Sequence, residues 1–144
     1  MSGAENEAEI LERISDVIDD APFQAWLPAR LTGIDPDGSV RLRAEWVPSW
    51  GNGGDGGHTH GGVIAALLDL AAECAVMAAF GAAAPTVDLN VRFLAPTREE
   101  PLTATGSLVR KGRTLTVAEA RVLREDGVLV AMASGAFATF AIAR

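Results

Sequence analysis

GVIAALLDLAAECAVMAAF, residues 62–80, runs from Gly62 to Phe80 with no internal Pro or Gly and is rich in Ala and Leu. Such a run favours helix, and because it is apolar on nearly every side it predicts a helix buried all round. Asp69 and Glu73 interrupt it near the middle, where a bilayer would penalise them, so it reads as a core helix and not a membrane span. Just before it, GNGGDGGHTHGG at 51–62 holds seven glycines in twelve positions, a density that predicts a loop. After it, TVDLNVRFL at 86–94 alternates Val87, Leu89, Val91 and Phe93 against Asp88, Asn90 and Arg92, the period of a strand.

Working outward, strands are expected at about 102–110, 114–124 and 128–141, the first two joined by Lys111-Gly112-Arg113 and the last apolar enough for burial on both faces. Upstream, 29–34 and 39–47 read as a hairpin around Asp35-Pro36-Asp37-Gly38, with Val40, Leu42, Ala44 and Trp46 on one face. Ser2 and Glu5 have the form of a capping box for an N-terminal helix whose apolar face is Ile10, Leu11, Ile14, Val17 and Ile18. The order predicts an α+β fold: one domain, with an N-terminal helix over 1–20 and a core over 21–144 in which a mainly antiparallel sheet wraps one central helix.

The 144 residues suit one domain, and 49% hydrophobic with 22% charged residues suits a globular core. A net charge of −7 argues against nucleic-acid binding, which needs a basic footprint. A lone Cys74 forms no internal disulfide, and the opening residues lack a signal-peptide pattern; a cytoplasmic protein is expected.

Asp69 and Glu73 stand at i and i+4 on one helix face, a costly pairing that suggests a use; the plainer reading is a pair of carboxylates looking into a polar groove. His60-Gly61-Gly62 stands at the helix N-terminus, where free amides and the dipole favour an oxyanion, so the Gly61 or Gly62 amide is a candidate donor. The plainer reading there is a loop turning into a helix. Eight residues separate Gly61 from Asp69, about 12 Å along a helix. If both act on one carbonyl, the carboxylate must come from a second copy of the chain across a two-fold axis, which predicts a homodimer with two shared sites.

Gly51-x-Gly53-x-x-Gly56 matches a dinucleotide fingerprint only formally, since the helix starts too late and there are no βαβ units. His58-x-His60, with Asp55 or Asp69, lacks a second ligand cluster, so no metal is expected. Cys74 reads as core. Arg110-Lys111-Gly112-Arg113 is the densest basic run, either a solvated turn or a phosphate-binding patch.

His60-Gly61-Gly62-Val63, Asp69 nine residues on, the strand from Thr86 to Pro96, and Arg110-Lys111-Gly112-Arg113-Thr114 together resemble the hotdog-fold thioesterases, and among them the PaaI-like acyl-CoA thioesterases of phenylacetate degradation. The resemblance covers about residues 30–141. It implies a long central helix wrapped by five or six antiparallel strands, a homodimer with a continuous sheet and onward assembly to a homotetramer. It also implies an acyl-CoA substrate, with coenzyme A as part of that substrate and no further cofactor. By the same resemblance Asp69 activates water or attacks the thioester, the Gly61 amide of the other subunit polarises the carbonyl, and Thr86 helps orient the water. Family members often carry Asn or Gln six residues before the His-Gly-Gly; here that position is Gly54, and Asn52 lies two residues earlier. Glu73 stands where some relatives keep a small hydroxyl residue. Arg110, Lys111 and Arg113, with Arg98 less central, are the expected contacts for the coenzyme A phosphates. Two rival readings remain: a hotdog hydratase or dehydratase using Asp55 and His60, and a non-catalytic acyl-CoA-binding protein. Aryl-acetyl, benzoyl-type and medium-chain acyl groups are all compatible with the sequence.

Overall fold

The computed structural model describes residues 5–54 and 57–142. Along the chain come α1 (Glu7–Asp19), a short α2 (Phe23–Trp26), β1 (Ala29–Ile34), β2 (Val40–Ala44), α3 (Gly61–Phe80), β3 (Thr86–Phe93), β4 (Leu102–Arg110), β5 (Thr116–Arg124) and β6 (Leu129–Phe137), with single 3-10 turns at Pro48–Trp50 and Thr139–Ala141. The six strands form one sheet in the order β1-β2-β4-β5-β6-β3, and every neighbouring pair is antiparallel. The arrangement is the expected α+β wrap, with α3 lying across the middle strands β4 and β5 and reaching β2, β6 and β3.

Helix and sheet touch at backbone distance. A Cβ on Gly106 of β4 would fall on the carbonyl group of Ala71 in α3, so only glycine lets the sheet close this tightly on the helix. Val63, Ile64, Leu67, Leu68, Ala71, Cys74 and Val76 of α3 are buried against the inward residues of the strands, among them Val40, Leu42, Leu102, Ala104, Ala118, Ala120 and Val122. Burial is not complete all round, however: Gly62 is exposed, while Ala65, Ala66, Asp69 and Glu73 are half-buried, and they form one open stripe. Small residues and the two carboxylates occupy it, and Thr86 of β3 reaches it at Asp69. Gly81 ends α3 at φ 81°, and Lys111 closes that end by donating to the Ala79 carbonyl at 3.0 Å with its ammonium 4.6 Å above the Phe80 ring.

The N-terminal helix begins later than expected. Its capping box is Asn6 with Glu9, each side chain accepting from the other's backbone amide, whereas Ser2 lies outside the described residues. Ile14 and Ile18 are buried while Val17 is 48% exposed, at the margin of the apolar face. Arg13 donates to the Met77 carbonyl at 3.1 Å, tying α1 to the last third of α3. The final strand stops at Phe137 rather than running to 141, because the Ala138 amide turns to the Pro85 carbonyl; Ser134 within it is exposed, so one face is open in part. The strand expected from 114 begins at Thr116, whose hydroxyl exchanges hydrogen bonds with Gly112 and holds the β4–β5 turn.

β3 forms one edge of the sheet, paired with β6 alone. Leu89 and Val91 are half-buried at its centre, while Val87 and Phe93 near its ends are 56% and 57% exposed. A long edge strand with large apolar residues is a template for pairing with another chain.

Candidate active site

His60 is the N-cap of α3, in extended conformation, and its Nδ1 accepts the Gly62 amide at 2.8 Å. That bond places the imidazole proton on Nε2. It also separates the two candidate oxyanion donors, because the Gly62 N–H is spent on His60 while the Gly61 N–H has no acceptor among the described residues. The Gly61 amide stands on the first turn of a long helix, where the dipole adds to its pull on an anion.

The glycine loop folds back on itself. Gly51 and Thr59 form a bridge, the Asn52 amide donates to the His58 carbonyl at 2.9 Å, and the His60 amide donates to the Trp50 carbonyl at 2.7 Å. Gly53 and Gly54 take φ of 74° and 78°, a conformation that glycine adopts freely and that lets the loop double back. Asn52 therefore lines the same groove as Gly61, a hollow of about 420 Å³ bounded also by His58, Thr59, Ile64 and Phe93. His58 and His60 part company: the first lines this groove and the second turns to cap the helix. Asp55 lies outside the described residues.

Asp69, two turns further along α3, receives a hydrogen bond from the Thr86 hydroxyl at 2.8 Å on Oδ1. The helix stop at Gly81 and the return through Pro85 bring the first residue of β3 to this point. One carboxylate oxygen is thus held, and the other has no hydrogen-bond partner among the described residues. Glu73, one turn beyond, is half-buried and has no hydrogen-bond or ion-pair partner among the described residues. Burial, and after it the neighbouring charge of Asp69, hold its carboxyl above the usual carboxylate range. Cys74 is fully enclosed, and burial followed by the charge of Glu73 pushes its thiol up, so it is a core residue and not a nucleophile.

The basic run is divided in its duties. Arg110 and Arg113 are exposed at the β4–β5 turn, whereas Lys111 is engaged with Ala79 and Phe80. This turn sits by the C-terminal end of α3, about 16 Å beyond Asp69 along the helix axis.

A second hollow, which the sequence reading missed, opens on the other side of the same helix start. It measures about 510 Å³ and is lined by Phe23, Trp26, His60, Gly62, Val63 and Ala66 among others. Its only signal in the sequence is two aromatics three apart between Pro22 and Pro28.

The family described as the thioesterase superfamily matches residues 56–131, a little over half of the chain. Over 138 residues the protein is 35% identical to an inferred esterase of Halobacterium salinarum, spanning 88% of this chain and 90% of that one. Over 93 residues it is 32% identical to the medium/long-chain acyl-CoA thioesterase YigI of Escherichia coli K12, spanning 54% of this chain and 60% of that one. The solved structure of the E. coli PaaI protein, from the phenylacetic acid degradation operon, superposes with a TM-score of 0.82 over 93% of this chain and 95% of that one at 20% identity, a likeness of fold. A six-stranded antiparallel sheet wrapped on one long helix, together with these matches, establishes that the chain belongs to the thioesterase superfamily, as a thioester hydrolase of the hotdog fold.

Proposed function

We propose that the protein hydrolyses acyl-CoA thioesters at two sites shared across a homodimer, each combining Asp69 of one subunit with the Gly61 amide of the other. The observation that carries this reading is the match between the two ends of β3 and the two halves of the site. Thr86, the first residue of β3, binds Asp69, and Phe93, its last, has its ring 3.4 Å from where a Cβ on Gly61 would sit. Pairing this free edge with its own two-fold copy, centred near Asn90, sets Phe93 opposite Val87 of the partner subunit and covers both exposed side chains. The same axis brings Asp69 toward Gly61 of the partner subunit, spanning the about 12 Å that separates them on one helix.

In this arrangement the Gly61 N–H hydrogen-bonds the thioester carbonyl oxygen and stabilises the charge that develops on it. In the general-base form, Asp69 takes a proton from water as the water oxygen bonds to the carbonyl carbon. The tetrahedral intermediate then collapses with cleavage of the C–S bond, and the leaving thiolate recovers the proton from Asp69. In the nucleophilic form, an Asp69 oxygen bonds to the carbon, the C–S bond breaks to expel the thiolate, and water then cleaves the mixed anhydride to the free acid and the Asp69 carboxylate, its released proton neutralising the thiolate. Thr86 orients Asp69 in both, and Asn52 faces the groove beside the carbonyl site. No metal or further cofactor is required. Arg110 and Arg113, with Arg98, are offered to the coenzyme A phosphates, whereas Lys111 contributes through the turn that it fixes. A dimer of dimers and a cytoplasmic location complete the proposal.

The rival hydratase reading needs His60 to act with Asp55; with Nδ1 accepting the Gly62 amide, only Nε2–H is left to it, as a proton donor and not a base. Thiol release from a panel of aromatic and aliphatic acyl-CoAs, with wild type and Asp69→Asn side by side, tests the proposal. Release that disappears in the variant supports it; no release from any member by a folded wild type refutes it and favours a binding protein. Label found in Asp69 after a single turnover in H₂¹⁸O would identify the nucleophilic form, with water attacking the Asp69 carbonyl of the anhydride.

A further inference from the structure

The edge strand β3 carries two charges that no step above uses. Leu89 and Val91 turn toward the core, opposite buried Gly135 and Ala133 of β6, so Asp88, Asn90 and Arg92 stand on the outer face of the sheet, and all three are exposed. Asp88 is held in place, because its Oδ1 accepts the Ala136 amide at 3.2 Å; its second oxygen has no hydrogen-bond partner among the described residues. Arg92 has no ion-pair partner among them either. Its row across the sheet continues to Met132 of β6 and Arg121 of β5, neither of which offers a carboxylate. The Leu94 amide donates to the Val130 carbonyl on the β6 side at 2.8 Å. By alternation along the strand, the backbone groups of Val87, Leu89, Val91 and Phe93 point to the free edge.

We propose that two symmetric ion pairs, each joining Asp88 of one copy of the chain to Arg92 of the other, fix the register in which two copies meet and so align the two halves of the active site. The inference rests on the shared-site dimer proposed above and names what selects its geometry. With the two-fold axis at Asn90, residues equally far from it oppose one another, so Asp88 faces Arg92 of the partner subunit and Arg92 faces the partner's Asp88. Both pairs fall at positions without backbone hydrogen bonds between the strands, where opposing side chains come closest. Other registers that keep apolar residues on the core face slide the partner in steps of two residues. An axis at Leu89 sets Asp88 against the partner's Asn90, and an axis at Val91 sets it against the partner's Leu94, which leaves all four charges unpaired. An axis at Asp88 or at Arg92 sets like charges opposite one another, which is destabilising. Only the axis at Asn90 pairs the charges. The nearest alternatives displace the partner by about 7 Å along the strand, which takes Asp69 out of bonding reach of a carbonyl held at the partner's Gly61. Asp88 and Arg92 are therefore positioning residues that act through the alignment of the subunits.

The test uses two variants of the full chain. Asp88→Arg puts two arginines on the edge and Arg92→Asp puts two aspartates there, so each variant sets like charges opposite when it meets itself and unlike charges at both pairs when it meets the other. Each variant alone should dimerise roughly tenfold or more weakly than wild type. Co-expressed, the two should form mixed dimers at about nine-tenths or more of the total, against the half expected of random pairing, as counted by native mass spectrometry. The excess should shrink toward half in about 1 M salt, which screens exposed charges. The doubly reversed chain, Asp88→Arg with Arg92→Asp, restores both pairs with opposite polarity and should dimerise as wild type does while mixing poorly with it. Random mixing of the single variants overturns the proposal; if thiol release persists in wild type, the shared site stands without it. Mixed dimers in excess from a wild type that hydrolyses no acyl-CoA would support the charge pairing and remove the thioesterase reading. Should Asp88→Arg lose its fold along with the Ala136 bond, Arg92→Asp still decides, since it breaks no ion pair within its own chain: dimerisation unchanged from wild type overturns the proposal.

Discussion

If each active site joins Asp69 of one subunit to Gly61 of the other, two inactive variants must rescue one another, and the structure supplies a clean way to remove each half. Gly61 is the first helical residue of α3 and the residue before it is extended, His60 having φ −62° and ψ 137°. Proline is accepted at this helix position and after such a residue, so Gly61→Pro deletes the free N–H while keeping the helix. The added ring begins 3.4 Å from the Phe93 ring, near ordinary van der Waals contact, so a shift of a few tenths of an ångström accommodates it. Loss of one oxyanion donor costs about 10²–10³ in kcat, and Asp69→Asn removes the base. In a heterodimer of the two variants, one site loses both elements and the other keeps both. Random exchange of equal amounts makes half of the dimers mixed, each with one intact site of two, which gives about a quarter of wild-type activity per subunit. The homodimers contribute about 1% or less. Thiol release is measured before and after mixing or co-expression, with native mass spectrometry counting the mixed dimers. If mixed dimers form and activity stays at the mean of the separate variants, the shared-site reasoning is wrong.

Three further outcomes follow from particular contacts. Thr86→Val removes the hydroxyl that holds Asp69 Oδ1; because this bond is to a carboxylate but is exposed, kcat should fall by about tenfold, the low end for a charged hydrogen bond, with little change in KM, and Thr86→Ser should restore it. Glu73→Gln should stabilise the protein at neutral pH. The wild-type carboxyl is raised above 4.5 by burial and then by Asp69, so the folded state holds its proton more tightly than the unfolded one; stability is lost as pH climbs through that window, and the variant escapes the loss. Urea unfolding should therefore show a gain at pH 7 that closes below pH 4.5. Gly106→Ala should cost about 3 kcal/mol or more, the upper range for overpacking, because the methyl falls on helix backbone at Ala71 and no side chain can yield; a denaturation midpoint unchanged from wild type would count against the close approach.

What could be read from the sequence divides by the range of the interaction concerned. Helix α3 and strands β3 and β4 were legible because their signals are local: a long Ala/Leu run, a two-residue alternation, and turn residues between them. Local rules faltered where two registers satisfied the same rule, as with Ser2/Glu5 and Asn6/Glu9, or where the element was too short to show a period, as with the four residues of α2. For the site, the chemistry of single residues was legible but their company was not. Asp69 announced itself as a charge in an apolar helix, whereas its hydrogen bond to Thr86 spans seventeen residues of sequence and depends on how the chain returns from Gly81. Counting back from His60 pointed to Gly54, yet the loop doubles back through the left-handed glycines and delivers Asn52. The open stripe of Gly62, Ala66, Asp69 and Glu73 carries this furthest. Viewed in one chain, two carboxylates beside small residues on a core helix are a local conflict that weakens packing. In the dimer proposed above, the small residues would let the helices approach and the carboxylate would face the free amide, so what weakens packing in the single subunit is what the proposed shared site requires.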